Sequence, residues 1–174
     1  EYTNATTGQL VDPETKDWDR ELIERLGYPA EIFQKLVMPG TELGNLREDI
    51  QKEVGFDCKV VAPATHDTGS AVIAVPTDSD NTLYISSGTW SLMGTELLKA
   101  NCSDESRLHN LTNEGGYDYR FRYLKNIMGL WMIQSVKKEI GGELGFGEIC
   151  EQASHCTIPS IVDCNDDRFL APLN

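Results

Sequence analysis

The chain has 174 residues, of which 40% are hydrophobic and 25% are charged, a composition typical of a globular protein with enough apolar side chains for a core. Its formal charge is −13, from 28 acidic and 15 basic residues, so nucleic acid and anionic membranes are poor candidates for partners. The sequence contains no run of 18 apolar residues and predicts no membrane-spanning helix.

The two ends of the chain look like cuts within a longer sequence. It begins with EYTNATTGQL, without an initiator methionine or a signal segment, and it ends with FLAPLN. We therefore expect a segment of a larger protein, and a small processed protein is the alternative.

The cysteines favour a cytoplasmic protein with reduced thiols. Their number is odd, and no C-x-x-C pair or Cys/His ligand spacing is present, so no metal site is predicted from them. They are Cys58, Cys102, Cys150, Cys156 and Cys164. The sequence gives no indication of the oligomeric state.

The first third of the chain predicts three helices. The first is capped by Asp17 and ends at Gly27, the second runs from Pro29 to just before Pro39, and the third ends at Gly55. The pattern then changes. KVVAPA (59–64) is typical of a buried strand, and the small residues of 66–76 predict a helix that is entered at Asp67. This order indicates the edge of an α/β domain.

The polar segment PTDSDN (76–81) is the candidate domain boundary. After it, 82–87 and 90–97 predict a hairpin around a Gly88-Thr89 turn. YDYRFRYL (117–124) alternates between aromatic and charged residues, which predicts a half-buried strand with Arg122 on the polar face. A long helix is predicted over 126–140, with Gly141 and Gly142 at its end. Two part-domains, 1–78 and 79–174, account for this change of pattern.

His66 and Asp67 lie where the predicted buried strand leads into a helix. Ligands of open α/β sheets bind beyond the carboxyl ends of the strands, so a carboxylate there faces a crevice and could accept a hydroxyl proton. The alternative is that Asp67 is only a helix cap. A metal-dependent phosphohydrolase is less favoured, because only His109 and His155 remain as histidine ligands and neither has ligand spacing to the pair.

SSGTWSLMG (86–94) predicts a tight turn whose successive amides and hydroxyls could bind nucleotide phosphates. Many plain hairpins share this composition, and neither a P-loop nor a dinucleotide-binding glycine fingerprint is present. Asn126 and Gln134 are eight positions apart, about 800° of helical turn, so on one helix they would lie within roughly 80° of each other. Their amides could then reach a nucleotide. A helix cap at Asn126 and a solvated Gln134 are the alternative.

In their order and spacing these signals resemble the FGGY carbohydrate kinases. The pair ISSGTWSLMG and KNIMGLW is more specific than a general sugar-kinase match and is similar to the members that phosphorylate L-rhamnulose. The matching stretches are EYTNATT (1–7), ATHDTGSAVIA (64–74), LYISSGTWSLMG (83–94), NEGG (113–116), YLKNIMGLW (123–131) and NDDRF (165–169).

The resemblance implies an α/β fold of two actin-like, ribonuclease-H-like domains. Residues 1–78 would be the end of the sugar-binding domain and 79–174 the start of the ATP-binding domain. It further implies a kinase that uses ATP and Mg²⁺ to convert a small sugar, L-rhamnulose, into its 1-phosphate.

By the same resemblance Asp67 would be the catalytic base and His66 a sugar contact. Gly88, Thr89, Asn126 and Gln134 would belong to the ATP site. The family's phosphate loop and its adenosine-binding segment have no counterpart in these 174 residues, so we expect the chain alone to be inactive. A kinase for another sugar, such as xylulose or fuculose, and a non-catalytic actin-like binding module remain as alternatives.

Overall fold

The computed structural model describes residues 1–79, 81–141 and 143–169. Within them lie seven α-helices: α1 (Tyr2–Ala5), α2 (Arg20–Arg25), α3 (Glu48–Val54), α4 (Asp67–Ile73), α5 (Asp104–Leu108), α6 (Trp131–Glu139) and α7 (Phe146–Ser154). The strands are β1 (Glu42–Asn45), β2 (Lys59–Val61), β3 (Leu83–Ser87), β4 (Trp90–Leu97), β5 (Thr112–Gly115) and β6 (Phe121–Met128). None of the described helices is long and apolar enough to span a bilayer.

The strands form two sheets. β1 and β2 pair antiparallel, with a bulge between Glu42 and Gly44. The other four strands follow the order β3-β4-β6-β5, and β5 pairs antiparallel with β6 so that Gly115 lies opposite Phe121. The predicted hairpin over 82–97 is confirmed as β3 and β4.

The chain divides into two compact units. Unit 1 comprises Glu1–Tyr84 and Gly94–Lys125, and unit 2 comprises Ile85–Met93 and Asn126–Asn174. Each unit is a group of residues that contact one another. The domain boundary predicted near residue 78 is a different kind of division, because it refers to the domains of the family. That boundary stays a prediction, and Asp80 within its linker lies outside the described residues.

The core of unit 1 contains both apolar and polar side chains. Ile23, Val72 and Leu124 are buried, and Leu124 is completely inaccessible to solvent. At Gly94 a Cβ would lie 2.6 Å from the Leu124 Cβ, so only glycine fits there. Arg122 is also completely buried, which makes the charged side chain part of this core.

Local capping determines the ends of the helices. α3 ends at Gly55, whose φ of 82° is left-handed, as predicted. Gly27, with φ of 75°, follows α2 as predicted. The cap of α2 is Asp19, whose side chain accepts from the Leu22 N–H, and the assignment of Asp17 was wrong by two residues.

The helix predicted from Pro29 is a single 3₁₀ turn, Ala30–Ile32. Side chains from α2 and its N-terminal flank bind carbonyls that a longer helix would use. The Arg20 guanidinium donates to the Phe33 carbonyl at 3.0 Å, and the Trp18 indole N–H donates to the Gln34 carbonyl at 2.7 Å. Tertiary hydrogen bonds thus replace helical ones in this segment.

The strand predicted over 59–64 is shorter and more exposed than expected. β2 covers Lys59–Val61, and Val61 is 50% exposed. In the described structure β2 has one partner strand, β1, so the expectation of burial was wrong and its apolar composition does not reflect a covered sheet.

The segment 117–140 departs most from prediction. Tyr117–Tyr119 is a 3₁₀ turn in which Asp118 and Tyr119 have positive φ, and β6 runs on to Met128. Helix α6 therefore begins five residues later than predicted, at Trp131. Gly141, with φ of 94°, follows this helix as predicted, whereas Gly142 lies outside the described residues.

Candidate functional site

The His66-Asp67 pair lies at the N-terminus of α4 in unit 1. His66 is the cap residue, because its Nδ1 accepts from the Gly69 N–H at 3.2 Å. Asp67 is the first residue of the helix, and its Oδ1 accepts from the Thr68 N–H at 2.6 Å. The Asp67 side chain is 97% exposed in this chain, whereas that of His66 is 23% exposed. The cap is supplied by the histidine, and the aspartate carboxylate remains accessible to a reactant.

The loop before His66 is anchored by Glu1. One carboxylate oxygen of Glu1 accepts from both the N–H and the hydroxyl of Thr65, at 3.0 and 2.9 Å. Thr3 donates its hydroxyl to the same oxygen at 2.6 Å, and its hydroxyl oxygen accepts from the His66 N–H at 3.3 Å. The first residues of the chain therefore support the backbone that carries Asp67.

The hydrogen bonds to Glu1 also affect its ionisation. Burial is the largest single influence and raises the pKa of the carboxyl. The bonds from Thr3 and Thr65 act in the opposite direction and together hold the pKa of Glu1 below its ordinary value of 4.5. The carboxylate, which accepts all of these bonds, is thus the favoured form.

Behind His66 lies a buried arginine that the sequence did not identify. An Arg122 Nη1 atom is 3.2 Å from His66 Nδ1, and the Nε–H donates to the Gly115 carbonyl at 3.2 Å. Nη2 lies 3.1 Å from a Glu114 carboxylate oxygen, an ion pair that lacks the alignment of a hydrogen bond. Arg122 thus joins the NEGG stretch to the His66 side chain.

NEGG also contacts the first helix. The Gly115 N–H donates to the Thr6 hydroxyl at 2.8 Å, and a Cβ on Gly115 would overlap the Tyr2 ring. Tyr2 is buried and contacts Tyr119 edge-on, and burial, with a smaller contribution from Tyr119, raises the pKa of Tyr2 to about 12. Three stretches distant in the sequence, around residues 1–6, 65–69 and 114–122, therefore converge on one cluster, which we call the His66 cluster.

Unit 2 contains the predicted phosphate-binding turn. The Gly88 N–H donates to the Trp90 carbonyl at 2.9 Å, so it is not available to an anion. The carbonyls of Gly88 and Thr89 accept from the N–H groups of Leu130 and Trp131, at 2.9 and 3.1 Å. The turn is thereby bound to the start of α6. Thr89 is exposed, which leaves its hydroxyl at the surface of the unit.

Asn126 and Gln134 do not share a helix. Asn126 is an exposed residue of β6, and Gln134 is an exposed residue of α6. The predicted helical spacing between them was wrong, and so was the alternative of a helix cap at Asn126. The apolar residues between them are compatible with a strand and with a helix. In the structure β6 continues through Met128, and Gly129 follows it.

Among the described residues, no three His, Cys, Asp or Glu side chains are grouped as metal ligands would be.

Comparison with solved structures shows the fold of the chain. A ligand-bound xylulose kinase from Lactobacillus acidophilus matches 88% of this chain with a TM-score of 0.71 at 14% identity, over 31% of its own length. Gluconate kinase from the same organism matches equally broadly, 88% of this chain and 31% of its own, with a TM-score of 0.72 at 15% identity. No protein-family model matches the chain. The fold of the chain is thus that of a segment of these sugar-kinase structures, which confirms the predicted fold class.

The curated relatives of the chain are rhamnulokinases. Rhamnulokinase from Oceanobacillus iheyensis is 53% identical over 174 residues, all of this chain and 37% of that protein. Rhamnulokinases from Halalkalibacterium halodurans and Bacillus subtilis are 51% and 42% identical over all of this chain, which covers 37% and 36% of them. The chain is thus homologous to rhamnulokinases along its whole length, which confirms the resemblance, and it spans little more than a third of theirs.

Proposed function

We propose that the chain is part of a cytoplasmic kinase that transfers the γ-phosphoryl group of ATP to O1 of L-rhamnulose, in rhamnose catabolism. The observation that carries the proposal is the 53% identity to a rhamnulokinase over every residue of the chain. In this proposal residues 1–78 belong to the sugar-binding domain and 79–174 to the ATP-binding domain.

Asp67 is the general base. Its carboxylate accepts the O1 proton while O1 attacks the γ-phosphorus, and the bond from that phosphorus to the β–γ bridging oxygen breaks, so that ADP leaves. The accessible carboxylate at the start of α4 supports this role, because a base must come within hydrogen-bond reach of its proton. His66, next to it, binds the sugar.

The Gly88-Thr89 turn binds the nucleotide phosphates, and Asn126 and Gln134 belong to the ATP site. The exposed Thr89 hydroxyl supports the first assignment, and the surface positions of both amides are compatible with the second. Since phosphoryl transfer depends chiefly on positioning and charge stabilisation, a turn held rigidly by α6 suits the task.

A substrate panel tests the function. A full-length kinase that carries this segment is assayed for ADP release with L-rhamnulose, D-xylulose, L-fuculose and D-gluconate as acceptors. We expect the highest kcat/KM with L-rhamnulose. A higher value with another sugar would reassign the substrate, and no release with any of them would favour a non-catalytic actin-like module.

A further inference from the structure

Arg122 is the largest completely buried side chain of the described structure. A buried guanidinium requires compensation, and Glu114, whose side chain is only 14% exposed, supplies the opposite charge. For stability alone such a pair is a poor solution, because well-packed apolar residues often stabilise a core equally well or better. The orientation of the Arg122 guanidinium is informative. Its Nη2 atom lies near Glu114, whereas its Nη1 atom faces His66.

The contact at His66 restricts the state of the imidazole. Two N–H donors, from Gly69 and from Arg122 Nη1, both lie 3.2 Å from Nδ1. A guanidinium has no acceptor and does not lose its proton in proteins, so Nδ1 must offer its lone pair. The ring hydrogen is then on Nε2. A ring turned by 180° would present C–H groups to both donors, so the same contacts fix its orientation.

A ring held in this way presents a donor beside an acceptor. His66 Nε2 lies 3.9 Å from Asp67 Oδ1, too far for a hydrogen bond between them. A ligand placed against the pair would meet an N–H and a carboxylate at neighbouring positions. A 1-hydroxy-2-ketose offers the complementary groups on adjacent carbons, a carbonyl oxygen to accept from Nε2 and a hydroxyl to donate to Asp67.

We propose that Arg122 is a positioning residue, which with the Gly69 N–H holds His66 as the Nε2–H tautomer so that the imidazole donates to the sugar. This inference rests on the proposed function. Arg122 itself does not touch the substrate. Glu114 and the Gly115 carbonyl orient the guanidinium.

The test is a double-mutant cycle on the full-length kinase. Removing Arg122 alone would leave a buried carboxylate, so Arg122→Met is combined with Glu114→Gln, which removes both charges. His66→Asn supplies the other arm, because asparagine can still cap α4 but lacks the imidazole donor. The Michaelis constants for sugar and ATP are measured for each arm and for the combination.

If Arg122 acts through His66, each arm raises the sugar KM roughly tenfold, the order of one lost hydrogen bond, and their combination raises it no further. The ATP KM stays unchanged. Multiplication of the two effects, or an unchanged sugar KM in the Arg122→Met/Glu114→Gln protein, overturns the proposal. Arg107→Met, an exposed arginine on α5, is the control for loss of a guanidinium and leaves both constants unchanged.

A spectroscopic measurement separates this inference from the proposed function. The ¹⁵N shifts of His66, assigned with the His66→Asn protein, report the tautomer without substrate. We expect Nε2–H in the unsubstituted protein and a mixture of tautomers after Arg122→Met/Glu114→Gln. Retention of pure Nε2–H in that variant would show that Gly69 suffices and overturn the role of Arg122. If the tautomer responds as expected but no sugar is phosphorylated, only the proposed function fails.

Discussion

Glu1 and Thr65 are joined by two hydrogen bonds to a single carboxylate oxygen, although 64 positions separate them in the chain. Thr65 immediately precedes the proposed sugar contact and the proposed base. The position of the loop that leads into α4 thus depends on an ionised side chain in a different stretch of the sequence.

These two hydrogen bonds, which we call the Glu1–Thr65 tether, should depend on pH. Because the pKa of Glu1 is lowered in the folded chain, its stabilising contribution is fully present above the ordinary value of 4.5 and is lost as the pH falls through the lowered value. We expect the Thr65 amide resonance of the full-length kinase to titrate with a midpoint below 4.5. In Thr65→Val, which lacks the hydroxyl donor, the midpoint should rise. A midpoint at or above 4.5 in the unsubstituted protein contradicts the tether.

Asp67→Asn should lower kcat by about 10² to 10⁴, the usual contribution of a general base, with the sugar KM little changed because the amide keeps the size of the side chain. Steady-state kinetics of the full-length kinase provide the measurement. Asp104→Asn is the matched control, since Asp104 is also an exposed first residue of a short helix. Near-normal turnover in the Asp67 variant would exclude it as the base.

Gly129→Ala should disrupt the Gly88-Thr89 turn, the proposed phosphate site. A Cβ there would lie 2.5 Å from the Gly88 carbonyl oxygen and 2.7 Å from the Ser91 hydroxyl. We expect destabilisation by ~1–3 kcal/mol, as for overpacking in a core. Gly147→Ala on α7 is the control. Nothing lies within 4 Å of its Cβ position, and the change should be neutral or stabilise by ~0.5–1 kcal/mol. Equal denaturation midpoints for the two variants would show that the turn tolerates the side chain.

Thr89→Val should raise the ATP KM roughly tenfold by removing one hydroxyl from the proposed phosphate site, and should leave the sugar KM unchanged. The substitution keeps the shape of the side chain. Thr157→Val, at an exposed position of unit 2, serves as the control. An unaltered ATP KM in the Thr89 variant would place the phosphates elsewhere.

The isolated 174-residue chain should show no sugar-dependent release of ADP. It spans 37% of the length of a curated rhamnulokinase, and phosphoryl transfer requires a closed cleft that excludes water. A coupled assay with L-rhamnulose and MgATP, run beside the Asp67→Asn chain, measures this. Activity that disappears in the Asp67→Asn chain would show that these residues are sufficient.

Local chemistry made several elements predictable from the sequence. Gly55 ends α3 because a left-handed residue favours glycine, and the Gly88-Thr89 dipeptide forms the turn of the β3–β4 hairpin. Both signals act over a few residues. The placement of Asp67 at the start of α4 followed from the same kind of evidence, the small residues after it and the proline at 76.

The remaining features depend on partners distant in the sequence. Alternation placed Arg122 on a polar face, whereas pairing of β5 with β6 brings Glu114 opposite Arg122 and supplies the charge that permits burial. Residues 125–128 are compatible with a strand and with a helix, and their place in the sheet makes them the end of β6. Such choices are set by tertiary contacts, which periodicity does not encode.

The bonds from the start of α6 to the Gly88 and Thr89 carbonyls have a thermodynamic consequence for binding. A loose loop loses about 1–2 kcal/mol of backbone freedom per residue when it is ordered. The 88–89 turn is already ordered by Leu130 and Trp131 when the chain folds, so little of that penalty would remain for a ligand. A phosphate arriving at Thr89 would meet a preorganised surface, and its affinity would depend on complementarity to that surface and little on the flexibility of the protein.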